Sequence, residues 1–179
     1  MFHSNTELLI DRWQAQAGPA GVPARAALDL GPIARLAPQL FVVGRRQSGA
    51  YPFRLVGDLV RDLHGRRLLG ENLLDLFGVA ARTELRPALE AARRGRSPLV
   101  AEVEAHDDAG RSFSLEVVLA PLSGPGGDVD RFLGLYQPLT PVFRLRGASV
   151  VEFTLKTLHP GAPGAPRLRL AALDGRHIA

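Results

Sequence analysis

The sequence contains no cysteine. That removes disulfides, thiolate catalysis, cysteine-ligated zinc and the cysteinyl–flavin photochemistry of some light sensors. Lysine is nearly absent too: Lys156 is the only one, and arginine supplies the remaining cations. No apolar run approaches the roughly 20 residues of a membrane-spanning helix. The opening MFHSNTELLIDRW is acidic and amphipathic rather than leader-like. A cytoplasmic protein without a transmembrane segment is therefore expected. No repeat of 20 to 50 residues is visible.

At 179 residues, 46% of them apolar, the chain is long enough for one well-filled core with extensions. The net charge of +4 is uneven. Beyond Pro138 stand Arg144, Arg146, Lys156, Arg167, Arg169 and Arg176 against Glu152 and Asp174, which accounts for all of it. Such a tail suits contact with an acidic partner, nucleic acid or a membrane surface. With leucines and valines between the cations it is a thin footprint for nucleic acid, which is not expected as a partner.

The chain opens with a capping-box pattern, Ser4 to Glu7, and an amphipathic helix carrying Leu9, Ile10 and Trp13 up to Gly18-Pro19. A short helical stretch is predicted around residues 32–36. Two strands follow at 39–46 and 50–57, with Tyr51, Phe53 and Leu55 placed on one face and QSGA as the turn. Asp58 is read as the cap of a brief helix ending at Gly65, and another short helix ends at Phe77. A longer helix over 82–94 has Pro87 in or close to its first turn and Gly95 just past its end. Three alternating strands then run through PLVAEVEAH, SFSLEVVLAP and RFLGLYQPL, as in an antiparallel sheet packed on one side. ASVVEFTLKTL fits a strand or a short helix. HPGAPGAP reads as a linker, and RLRLAAL as an exposed edge strand or docking peptide.

Residues of chemical interest have plain readings. His64 precedes Gly65-Arg66-Arg67, a polar exit, and is read as solvated or capping. HDD at 106–108 is an aspartate-rich turn, and GPGGD at 124–128 a hairpin loop without the lysine of a phosphate cradle. Glu102, Glu104 and Glu116 read as solvated sheet charge. No acid–base pair or metal spacing emerges, so no enzyme and no metal site are expected.

The order strand, strand, three helices, strand, strand, strand resembles a PAS domain over residues 39–138. The stretch FRLVGDLVRDLHGRRLLGENLLDLF sharpens the likeness, being similar to a bacterial PAS subgroup at Arg54, Gly57, Gly65, Arg66, Leu68, Gly70 and Leu73. Upstream, Trp13 and the set Pro23, Arg25 and Asp29 match the same subgroup. The resemblance implies an α+β PAS fold: a five-stranded antiparallel sheet with a helical crossover on one face. Residues 1–38 would be an N-terminal helical extension and 139–179 a basic C-terminal extension. It implies a sensory, regulatory module of bacterial signal transduction that is not catalytic. Such a module would bind a protein partner such as a two-component signalling protein, would form a homodimer, and would be open to modulation by a small ligand. Leu55, Leu63, Leu73, Phe77, Leu89, Leu115 and Val117 would line its cavity, or simply fill a dry core. Leu9, Ile10 and Trp13 would form a self-association face, or pack back on the domain. The alternative function is a sensor that captures haem, flavin or a metabolite; the sequence names no cofactor.

Overall fold

The computed structural model describes residues 1–145, 147 and 149–161. The segment RLRLAAL lies outside them. Three helices, α1 (Ser4–Ala15), α2 (Asp58–His64) and α3 (Val79–Gly95), accompany six strands. The strands are β1 (Leu40–Gly44), β2 (Phe53–Val56), β3 (Leu99–Asp107), β4 (Ser112–Ser123), β5 (Val129–Pro138) and β6 (Val150–Pro160). They form one antiparallel sheet in the order β2-β1-β5-β4-β3-β6. The five expected strands lie within residues 40–138, and a sixth from the C-terminal extension joins them beside β3. ASVVEFTLKTL is that strand, and it takes His159 and Pro160 with it out of the supposed linker.

Two further corrections concern helix ends. His3, not Ser4, caps α1, its Nδ1 accepting from the Asn5 N–H at 3.1 Å. The longer helix starts at Val79, so Pro87 lies in its interior. It is tolerated because Pro87 is exposed, leaving the carbonyl it cannot bond within reach of water. The helix closes with Arg96 in the left-handed region, φ 52°.

The sheet is packed on both faces. On the inner face Phe41, Phe53, Leu115, Val117, Phe132 and Tyr136 meet α2, α3 and the short 3₁₀ turn Leu73–Leu76. On the outer face Leu40, Val118, Ala120, Leu122, Leu133 and Leu135 are covered by α1 and by the segment carrying Val22, Ile33 and Leu36. One-sided packing was expected because β4 begins with an alternating outer row, Ser112, Ser114, Glu116. That row turns apolar at Val118, and a strand buried on both faces reads as a continuous apolar run.

The inner layer is fitted closely at β5. Gly134 faces Phe41 on β1, and a Cβ there would overlap the Phe41 ring. That ring meets Tyr136 edge-on at 5.0 Å and Phe53 at 5.5 Å between centroids, so it has nowhere to move. Gly134→Ala is expected to cost about 3 kcal/mol, at the upper end of overpacking, read as a fall in the urea midpoint.

Candidate functional site

The inner layer between α2, α3 and the sheet is where the cavity-lining residues were placed. Leu63, Leu73, Phe77, Leu89, Leu115 and Val117 are all buried there in one cluster. Leu55 is not: it is 50% exposed. The reason is a bulge. Val42 pairs with Leu55 but Val43 with Phe53, so the extra residue Arg54 breaks the alternation and puts Phe53 and Leu55 on opposite faces.

The polar member of this layer is His64, 1% exposed. It is neither solvated nor capping, because β6 closes over it. Its Nδ1 donates to the Val150 carbonyl at 3.1 Å, and Nε2 faces the Tyr136 hydroxyl at 3.4 Å. Phe153 stacks edge-on at 5.7 Å. Burial lowers the His64 pKa to about 4, against the Val150 carbonyl, which raises it. Burial likewise pushes the Tyr136 hydroxyl well above its ordinary value. A neutral imidazole accepting from a neutral phenol therefore sits in an otherwise apolar layer.

A second titratable cluster ties the β1–β2 hairpin to α3. Glu90 accepts from Arg45 at 2.6 Å, from the Tyr51 hydroxyl at 2.7 Å and from Arg93 at 2.9 Å. Burial raises its pKa, but these three donors outweigh burial and hold it down at about 2. A carboxylate so fully engaged is a tie between elements, not a proton acceptor.

Outside the layer, α2 ends at Gly65 in the left-handed region, φ 58°, and the chain turns through Arg66 and Arg67. Leu68 is buried and anchors the turn. Residues 69–71 then run along β2, where the Gly70 N–H reaches Phe53 O and the Phe53 N–H reaches Glu71 O, both at 2.9 Å. This leaves an open groove of about 640 Å³. Its floor is Val56, Leu68 and Leu69, the last 47% exposed, and its rim is Arg61, Arg66 and Arg67 with Asp62. Arg61 is held by Asp58 and Asp62, and Arg66 by Glu71. Arg67 has no ion pair among the described residues. The sequence hid this groove because its parts read as a helix end and a turn.

The N-terminal face is covered. Leu9 and Trp13 are buried on the outer sheet face and Ile10 packs partly against it, so in this chain they are not a free surface. The Trp13 indole N–H donates to Pro121 O at 2.6 Å. The N-terminus of α1 brings a second correction: Glu116 is buried, both carboxylate oxygens accepting from the His3 N–H at 3.0 and 3.1 Å. Beside it Asn5 donates to Gln137 at 2.9 Å. Glu102 and Glu104 do face outward, paired with His159 and Lys156. Asp107 accepts from Arg111 and from turn amides, as an aspartate-rich turn should. No cluster of three potential metal ligands occurs among the described residues.

A family model described as "PAS domain" matches residues 1–137. No curated protein sequence matches the chain. Among solved structures, one similar to it is the dark state of the blue-light photoreceptor Aureochrome1 LOV. Identity is 15% and TM-score 0.47, over 62% of this chain and 82% of that one. The Rhodobacter sphaeroides LOV protein gives 17% and 0.48, over 74% and 68%. An RNA-binding light-oxygen-voltage receptor gives 19% and 0.49 over 69% of this chain, which spans only 38% of the receptor's length.

Proposed function

The chain belongs to the PAS domain family, a family of sensory and signalling modules, and from that premise we propose that it is a non-catalytic regulator acting by binding another protein. The reading is of a cytoplasmic bacterial protein whose partner is a component of a two-component pathway. The observation that carries it is the α2 groove: exposed leucine beside arginines, one without an ion pair among the described residues, open rather than enclosing. Small-ligand sites bury most of their ligand, whereas an open apolar floor with a charged rim suits an acidic, apolar-bearing protein surface. The mechanism is differential affinity. A partner or ligand that prefers one arrangement of the α2 wall shifts that population, and a second protein reads the shift. No helix among the described residues is long and apolar enough to cross a membrane.

The test uses the full chain and a variant carrying Arg67→Glu and Leu69→Asp, both at exposed positions. Circular dichroism should be unchanged. One signalling protein, enriched from native lysate by the wild type, should fall at least about tenfold with the variant. Equal enrichment by both, or no enrichment by either, removes the groove from the account.

A second reading is favoured by one observation, the His64–Tyr136 pair in the apolar layer. Donor and acceptor groups there suit a small, mostly apolar ligand with one polar end. The chain has no cysteine, so a cysteinyl–flavin adduct is not open to it. Native and denaturing mass spectra of fresh protein separate the readings. Extra mass in the native spectrum alone supports a ligand, and equal masses leave the protein-binding reading.

A further inference from the structure

The outer face of the sheet is left open at its β2–β1 corner, where Leu55 is 50% exposed and Val42 half-buried. Val42 on β1 pairs with Leu55 on β2 and with Leu133 on β5, which places all three on that face. Two residues further along, Gly44 pairs with Arg131, so the place of the missing Gly44 side chain is on the outer face too. Two arginines fill it. A Cβ on Gly44 would stand 3.0 Å from Arg54 Nε, 3.1 Å from Arg131 Nη1 and 3.4 Å from Arg131 Cζ. The two nitrogens are therefore at most about 6 Å apart, and like charges held so close repel. Arg54 reaches this place because it is the extra residue of the β2 bulge, and bulges re-aim side chains.

The described residues relieve little of this repulsion. Arg54 is exposed and has no ion pair among them. Arg131 stands 3.4 Å from one oxygen of Asp130 and Arg25 stands 3.6 Å from the same oxygen, both longer than a usual hydrogen bond. The other oxygen, Oδ1, is buried without a hydrogen-bond partner among the described residues. Three guanidiniums thus share one loosely engaged carboxylate, and two positive charges are left over. An oxyanion seated between Arg54 and Arg131 needs nitrogen–oxygen distances of about 2.8 Å on either side, which a gap of this size allows. A phosphate monoester carries nearly two negative charges at neutral pH and balances the excess. Leu55 and Val42 lie beside it to meet an apolar ester group. Charge-assisted hydrogen bonds hold the anionic head, so an open surface suffices for it. We propose that Arg54 and Arg131, meeting over Gly44, bind the phosphate group of a small phosphate monoester. The site shares no residue with the α2 groove, so it goes beyond the function proposed above and is tested independently of it.

The experiment titrates the full chain with phenyl phosphate and follows backbone amide and arginine Nε–H NMR signals, with ionic strength held constant by potassium chloride. Signals of Gly44, Arg54 and Arg131 should shift together and saturate. Arg54→Gln should weaken binding at least about tenfold, the loss of one charge-assisted hydrogen bond. Arg54→Lys keeps the charge but not the fork, and should recover only part of the loss. Arg54 is exposed, so the spectrum of either variant should otherwise match that of the wild type. Shifts that never saturate, that potassium chloride alone reproduces, or that Arg54→Gln leaves unchanged overturn the proposal. Inorganic phosphate is the second probe. Weaker binding than phenyl phosphate through the same three residues supports the ester, and equal or tighter binding overturns the ester in favour of the free anion.

Discussion

Trp13→Ala is expected to lower stability by about 3–5 kcal/mol, the cost of removing a large, fully buried aromatic side chain. The cost should be high because Trp13 joins layers distant in sequence. It lies on the outer-face cluster with Leu9, Val118 and Leu122, and its indole N–H is bound to Pro121 O. Trp13→Phe keeps much of the packing but leaves that carbonyl without its donor, and should cost about 1–3 kcal/mol. Urea titrations of the three proteins read both numbers. A loss below about 1 kcal/mol for Trp13→Ala would mean that α1 is not docked on the sheet in solution. Trp13 is the only tryptophan, so fluorescence checks this independently. Docked α1 predicts blue-shifted emission shielded from acrylamide, and detached α1 predicts red-shifted, quenchable emission.

The landing site of α1 was legible in part. Leu9 and Trp13 at helical spacing marked an apolar face, but periodicity names a face and not its partner. The partner was written in β4, where the outer row changes from Ser114 and Glu116 to Val118, Ala120 and Leu122. Taken with Leu133 and Leu135 on β5, that change calls for a cover on the outer face. Glu116 sits at the boundary, where a carboxylate on an outer row is ordinarily wet, yet it is buried. Here the α1 N-terminus supplies the donor that makes its burial tolerable.

The order of elements along the chain and most of the inner layer followed from alternation and from glycine positions, since both depend on near neighbours; the crossover came from the PAS resemblance. Two errors have a common cause in long range. Strict alternation puts Leu55 inward, which a bulge at Arg54 reverses without any signal in composition. His64 was assigned outward because its neighbours in sequence, Asp62, Arg66 and Arg67, are polar. What buries it is Val150 and Phe153, and the Val150 carbonyl is 86 residues away. The tail that hides His64 was read as strand or helix, so its role as a cover could not be assigned.

That buried histidine gives the second large effect, an acid-side loss of stability. Its pKa is lowered from an ordinary 6.5 to about 4 in the folded chain, chiefly by burial. The unfolded chain therefore binds the extra proton first as pH falls, and protonation favours unfolding. The contribution of the neutral imidazole is complete above pH 6.5 and is lost as pH falls towards 4. Between pH 7 and 4.5 it should amount to about 2 kcal/mol. Glu90 also loses stability on acidification, but its pKa near 2 places most of that loss below this window. His64→Asn isolates the imidazole: it removes the titration while keeping an N–H able to reach Val150 O. The variant should be less stable than wild type at pH 7, yet its stability should fall more gently, by about 2 kcal/mol, from pH 7 to 4.5. Parallel pH profiles would place His64 in water and would remove the His64–Tyr136 pair from the second functional reading. A ligand bound beside that pair would sharpen the comparison, because its stabilisation at pH 7 should be weaker in His64→Asn and in Tyr136→Phe alike.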